Sequence, residues 1–357
     1  MRIRRLWLTD FRNYVSAEAE LAPDGLTVLV GGNGQGKTNL LEAAGYLATL
    51  ESFRGAPSEA LVRAGCTTAV VRAEGERAGR SVLVEAEINT AGRSRTLLNR
   101  QPLRRAADLL GAVRVSLFAP DDLELVKGGP AGRRRYLDDA LVGLHPRHAA
   151  TRSDLDRVLR QRNTLLKQCK GHLDASAATT LDVWDAKLVE AGEALAAARS
   201  RLVADLEGPL GKAYDQLAGA PADVAIAYER SWSGPLSEAL AATRTDDVRR
   251  GLSTVGPHRD DVRLALGGLP ARTHASQGEQ RCLALALRLA AHRVVSDAVG
   301  EPPVLLLDDV FSELDADRSA ALVAHLPDGQ VLLTTAGDPP PGITPALTLR
   351  IHGGRVL

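Results

Sequence analysis

The sequence predicts an α/β fold interrupted by a helical insertion. A glycine-rich loop at 31–36 stands between an apolar β-type run and a helix-type run. A second apolar run, Val304-Leu305-Leu306-Leu307, ends in Asp308-Asp309 near the other end of the chain. From about 121 to 250 strand signals are few and heptad spacing takes over. The α/β material therefore forms one discontinuous domain, 1–120 with 251–357, and 121–250 is expected as an inserted all-α domain.

In chain order, Ile3 to Leu8 is a candidate strand, and Gly25-Leu26-Thr27-Val28-Leu29-Val30 is a clearer one. A helix follows from Lys37 to about Leu50, with Leu40, Leu41, Ala44, Leu47 and Ala48 at helical spacing. Between 66 and 102, short β-type runs broken by Gly79, Asn89 and Gly92 predict an antiparallel meander. In the insertion, Leu181, Trp184, Leu188, Ala191, Leu195, Ala198 and Leu202 alternate by three and four, an a/d seam. Leu155, Leu159, Arg162, Leu166 and Cys169 repeat that spacing with one polar defect. An antiparallel hairpin is expected, roughly 148–170 against 179–206, either as a projecting arm or as two core helices of a small bundle. After about 252 the α/β pattern returns, with a strand at Val262 to Leu266, a helix from about Gln277 and buried strands at 304–307 and 331–335.

Lys plus Arg equals Asp plus Glu at 44 each, which excludes a whole-protein basic field but not local patches. The three cysteines are far apart and form no metal or disulfide framework; they are expected as buried small hydrophobes in a reducing compartment. No run reaches the ~18 apolar residues of a membrane span, and no signal peptide opens the chain, so a cytoplasmic protein is expected.

Gly31-Gly32-Asn33-Gly34-Gln35-Gly36-Lys37-Thr38 fits G-x-x-x-x-G-K-[ST], the P-loop, with the strand before it and the helix after it that the motif requires. Such a loop turns backbone N–H groups toward phosphate oxygens at a helix N-terminus. Lys37 is expected on the β- and γ-phosphates of ATP, Thr38 on Mg²⁺, and Asn39 beside them. Asp308, where a buried strand ends, is a candidate Mg²⁺ carboxylate. Asp309 either polarises an attacking water or is only the entry carboxylate of the next turn. Ser276 with Glu279 reads as a capping box before an amphipathic helix; with Gly278 it also reads as an anion site.

The segment Ser276-Gln277-Gly278-Glu279-Gln280 resembles the signature of ABC-type ATPases, and it lies 32 residues before Asp308, as that superfamily places it. Ser312-Glu313-Leu314-Asp315 resembles the D-loop, and Thr334 occupies the place of the switch residue, where most members carry His. The fold implied is an ABC-type P-loop ATPase head, a mixed sheet plus an antiparallel β meander. Phe11-Arg12-Asn13-Tyr14, Phe118-Ala119-Pro120-Asp121-Asp122-Leu123, Gly128-Gly129-Pro130 with Arg133-Arg134-Arg135-Tyr136-Leu137-Asp138, and Val255-Gly256-Pro257-His258-Arg259-Asp260-Asp261 narrow the resemblance to the bacterial RecF family.

That resemblance implies a homodimer closed head-to-tail by ATP, with Ser276, Gly278 and Thr334 at the γ-phosphate and slow hydrolysis at Asp309. It also implies binding to single-stranded, gapped or junction DNA, action with RecO and RecR to load RecA, a part in the SOS response, and nucleoid association. Candidate DNA contacts are Arg133, Arg134, Arg135, Arg104 and Arg105, each cluster also compatible with a solvated or acid-paired face. His258 is the histidine expected on the nucleotide side. A non-hydrolysing ATP-gated DNA clamp, a transporter nucleotide-binding subunit and a P-loop small-molecule kinase are the competing functions; the helical insertion disfavours the second, and the 276–280 segment the third.

Overall fold

The computed structural model describes residues 2–337, 339 and 342–357. The chain divides into two compact units. The first holds Met1–Leu123, Pro209–Ala222 and Gln277–Leu357; the second holds Glu124–Gly208 and Asp223–Ser276.

The first unit contains two six-stranded sheets. In one, the strands run in the order Tyr14–Glu20, Arg2–Phe11, Thr68–Arg77, Arg80–Asn89, Arg95–Leu98 and Gln101–Pro102, each antiparallel to its neighbour. The meander expected at 66–102 is present, extended by the N-terminal hairpin. In the other, the order is Arg355–Val356, Leu347–His352, Gly25–Val30, Gln330–Thr335, Val304–Asp308 and Val115–Phe118. All its pairings are parallel except that of the terminal Arg355–Val356 strand. Val304–Asp308 is buried at every position, as an inner parallel strand requires.

The helix Lys37–Thr49 contacts strands of both sheets. Every residue from Leu40 to Ala48 is buried, which explains its composition. A helix covered on all sides has no polar face, and Ala43, Ala44 and Gly45 let the sheets approach. Its side chains join Leu6, Leu8 and Val71 of one sheet and Leu306 and Leu332 of the other in a single core. Gln330 ties the sheets as well. Its amide accepts from the Ile3 N–H at 2.7 Å and donates to the carbonyls of Ile3 and Ala22.

The second unit departs from the expected boundaries and from an all-α insertion. It carries the helices Pro130–Leu144, Arg147–Gln168 and Leu236–Arg250, and most of the 44-residue helix Ala175–Ala218. It also carries a three-stranded antiparallel sheet of Leu269–Pro270, Asp261–Leu266 and Val224–Glu229. The strand expected near 262–266 therefore pairs within this unit rather than in the mixed sheet, and the boundary lies at 276 rather than 250. Its partner Val224–Glu229 is short and only partly alternating, too weak a signal beside a long helix.

The 175–218 helix continues through Pro209, where unit membership changes. Of the two readings of the hairpin, the bundle holds. Leu166, Leu181 and Val248 from three helices form one core, and Arg162 joins Asp185 and Asp247 beside it. Among the described residues no helix is long and apolar enough to cross a membrane. Only Cys282 of the three cysteines is buried.

Candidate functional site

The strands Gly25–Val30, Gln330–Thr335 and Val304–Asp308 end together, because Val30 pairs with Thr335 and Thr334 with Asp308. The glycine-rich loop leaves the first of these ends, where ligands of parallel sheets sit. Two of its glycines are sterically required. A Cβ on Gly31 would run into the Ile351 carbonyl oxygen. Gly36, the residue that starts the Lys37–Thr49 helix, has φ 118°, and a Cβ there would meet the Asn13 side chain at 2.8 Å.

Lys37 lies across this loop. Its ammonium donates to the Gly31 carbonyl at 2.6 Å and the Gly32 carbonyl at 3.0 Å. Burial lowers its pKa, and the charges of Asp309 and Asp308 act the other way. The Thr38 hydroxyl donates to Asp308 Oδ1 at 2.8 Å. Burial raises the Asp308 pKa, opposed by hydrogen bonds from Thr334 and Thr38 and by the charge of Arg54. Lysine, hydroxyl and two carboxylates thus converge at the helix N-terminus, as the motif spacing predicts.

Thr334 lies at the same strand end, opposite Asp308. Its hydroxyl donates to Asp308 Oδ1 at 2.8 Å and accepts the Asp309 N–H at 2.9 Å, and the residue is 1% exposed. A threonine hydroxyl has one proton, and here Asp308 takes it. The Thr334 hydroxyl thus links the two carboxylate-bearing residues at the strand ends. Asp309 is left-handed, φ 48°, and its carbonyl accepts from Ser312 Oγ at 2.8 Å.

Phe11-Arg12-Asn13-Tyr14 forms a brace under the loop, a role its sequence did not disclose. Arg12 makes a bidentate pair with Glu42 at 2.8 and 2.7 Å. Asn13 donates to the Gln35 carbonyl at 3.1 Å and accepts from Asn39 at 2.8 Å. Tyr14 donates to the Gly36 carbonyl at 3.0 Å. The Gln35 side chain accepts from the Gly353 N–H at 2.7 Å. Asn39 thus supports the loop through Asn13. Asn33 and Gly34 are exposed at the loop's outer turn. Arg54, also missed, reaches Asn39 at 3.4 Å and adds positive charge beside Asp308.

Ser276 directly precedes the helix Gln277–Val299, as a cap should. Gly278 in its first turn lies against Arg318. Arg281, one turn on, donates to the Glu313 carbonyl at 2.9 Å and pairs with its carboxylate. Asp315 caps the helix Ala316–Ala324 by accepting the Arg318 N–H at 2.9 Å. The signature-like and D-loop-like segments are therefore bound to each other.

Two arginines expected on DNA are occupied inside the second unit. Arg133 is 7% exposed, pairs with both oxygens of Asp261 at 2.7 and 3.0 Å, and donates to the Leu125 and Gly128 carbonyls. Arg134 donates to the Asp260 carbonyl at 2.6 Å, and burial lowers its pKa. Arg135 and Arg104 are exposed, as is Arg105, which pairs with Asp108 at 2.8 Å. His258 is built into the second unit: its ring lies 3.2 Å from the Ser253 carbonyl, and burial lowers its pKa to about 4.

The chain is similar to known proteins over nearly its whole length. The family described as RecF/RecN/SMC N terminal domain matches residues 2–336. A protein of Kineococcus radiotolerans named DNA replication and repair protein RecF is 45% identical, over 99% of this chain and 97% of its own. One of the same name from Streptomyces avermitilis is 46% identical, over 100% and 99%. A solved structure of the recombination mediator protein RecF with ATP, from the RecFOR pathway, superposes with a TM-score of 0.91 at 28% identity, covering 99% of this chain and 96% of that one. The Smc head domain of Pyrococcus furiosus, at 15% identity and a TM-score of 0.54, shares the fold.

Proposed function

The chain belongs to the RecF family of DNA replication and repair proteins, and from that premise we propose that it is an ATP-gated DNA-binding protein. ATP binds at 31–39 with Mg²⁺, closes two copies head-to-tail, and is hydrolysed slowly. The convergence of Lys37, Thr38 and Asp308 at one helix N-terminus carries this reading.

Each residue has a task that its position supports. The loop N–H groups and the helix dipole receive the phosphates, and Lys37 supplies a desolvated positive charge to them. Thr38 and Asp308 offer two hard oxygen donors in contact, the donor type Mg²⁺ prefers. Mg²⁺ held by Thr38 and Asp308 would neutralise phosphate charge during transfer. Thr334 keeps Asp308 turned toward Thr38 and fixes the backbone of Asp309. Asp309 orients the attacking water; its short side chain reaches less far than the Glu of most ABC-type members, which favours slow turnover.

Asp309→Asn tests that role. Asparagine also tolerates φ 48°, so the turn and the Thr334 contact survive. ATP and Mg²⁺ binding should persist while single-turnover hydrolysis slows, by roughly 10²-fold or more for loss of a base, and the ATP dimer should last longer. Hydrolysis at the parental rate would leave Asp309 as only a turn residue.

The protein is further proposed to bind single-stranded, gapped or junction DNA and to act with RecR and RecO in loading RecA during the SOS response, in the cytoplasm at the nucleoid. Arg104, Arg105 and Arg135 are the exposed cations offered for phosphate contact. Light scattering with ATP, with ADP and without nucleotide tests the gate: a dimer only with ATP is expected. Ser276→Arg places a bulky cation where the partner copy's γ-phosphate would sit. It should keep ATP binding and lose dimerisation; loss of both, or of neither, counts against a composite site.

A further inference from the structure

Arg318 lies outside every motif discussed above, yet it touches two of them. It belongs to the helix Ala316–Ala324, which follows the D-loop-like segment. Its guanidinium covers Gly278: a Cβ there would come within 2.8 Å of Nη1, 2.9 Å of Nη2 and 3.0 Å of Cζ. The Nη1–Nη2 edge of the group therefore occupies the space a side chain at 278 would need. The same guanidinium points Nε at the Cys282 sulfur, 3.0 Å away on the next turn of the Gln277–Val299 helix. Nη1 pairs with the Asp315 carboxylate. The backbone N–H of Arg318 is held by the other oxygen of that carboxylate at 2.9 Å.

The arrangement is more constrained than an exposed ion pair. The Arg318 side chain is 31% exposed, its Nε and Nη1 are engaged, and its Nη edge covers Gly278. Lysine cannot reproduce this, because an ammonium has no second nitrogen to reach the sulfur while the first pairs with Asp315. Gly278 is required for the contact as well, since any side chain would occupy the place of the guanidinium.

We propose that Arg318 is a positioning residue for the ATP-closed dimer: it holds Gly278 and Asp315 in one register, so that the signature-like and D-loop-like segments meet the partner copy as a single surface. This rests on the composite site proposed above. The contacts of Arg318 with Gly278, Cys282 and Asp315 involve no P-loop residue, so nucleotide binding by the monomer should not depend on them.

The test uses Arg318→Ala and Arg318→Lys in the full-length protein, with thermal melting as a check of folding. ATP affinity is measured at protein concentrations where the parent is monomeric, and the ATP-dependent dimer is measured by light scattering. Both variants should bind ATP within about twofold of the parent. Both should need about tenfold or more higher protein concentration to dimerise, the scale of one lost charge-assisted hydrogen bond. The lysine variant retains the charge and most of the stem, so it reports even if the alanine variant melts early. A parent that dimerises with ATP alongside an Arg318→Lys variant that dimerises equally well overturns the positioning role and leaves the composite site standing. A parent that stays monomeric in ATP overturns both.

Discussion

Replacing Lys37 with alanine is expected to weaken ATP binding by about two to three orders of magnitude while leaving the fold intact. Lys37 is 6% exposed, so the opposite outcome, a collapse of the site, needs an answer. Its ammonium makes no core contact and is satisfied by the carbonyls of Gly31 and Gly32. Water can replace an amine at such carbonyls. The apolar packing of the helix begins at Leu40 and runs to Ala48. The loss to ATP is larger, for two reasons. A desolvated ammonium loses its charge-assisted bonds to phosphate. Asp308 and Asp309, which both lie close enough to Lys37 to oppose its pKa shift, are then left facing a polyanion without it. Each tenfold is 1.4 kcal/mol, so two strong charged contacts account for the expected range. Titration calorimetry against ATP with Mg²⁺, beside a melting curve without nucleotide, checks both halves. An unchanged affinity in a folded variant would remove the P-loop assignment.

The motifs most legible in the sequence are those whose chemistry needs contiguous residues. Eight successive positions build the phosphate loop, and a strand end followed by two carboxylates builds Asp308 and Asp309. Residues acting across the chain were readable only as family marks. Asn13 and Tyr14 brace a loop more than twenty residues away and Arg12 the helix that follows it, and no local period reports that. Thr334 is legible as a strand-end residue, while its bond to Asp308 follows from the parallel register of two strands, which no local pattern reports.

The run Arg133-Arg134-Arg135 misled for a geometric reason. Successive residues on a helix point about 100° apart, so three in a row cannot share one solvated face when the helix packs on a neighbour. Arg133 turned to Asp261 and Arg134 to Asp260, leaving Arg135 outside. The polar defect at Arg162 hid the opposite surprise. A charge on a heptad seam suggests a weak point in the packing, yet Arg162 is fully buried and organises three helices.

Arg162→Ala should accordingly be among the most destabilising single changes outside the nucleotide site. Arg162 donates to Asp185 at 2.6 Å, to Asp247 at 2.7 Å and to Ser253 at 2.8 Å. The two carboxylates do not suffer equally when it is removed. Asp185 is 16% exposed and keeps Arg244 at 3.8 Å. Asp247 is wholly buried, and among the described residues it keeps neutral donors, the Thr254 N–H at 2.9 Å and its hydroxyl at 2.6 Å. Breaking a buried pair by deleting one partner costs about 3–5 kcal/mol, because the other charge stays behind desolvated. That is a large part of the ~5–15 kcal/mol that holds a typical protein folded. The cost should therefore come mainly from Asp247. Adding Asp247→Asn to the alanine variant removes the stranded charge, keeps an acceptor for Thr254, and should recover a substantial share of the loss. Urea unfolding of the single and double variants measures this. A loss below about 1 kcal/mol for Arg162→Ala would match an exposed pair instead, and a double variant less stable than the single one would show that Asp247 is not the source of the cost.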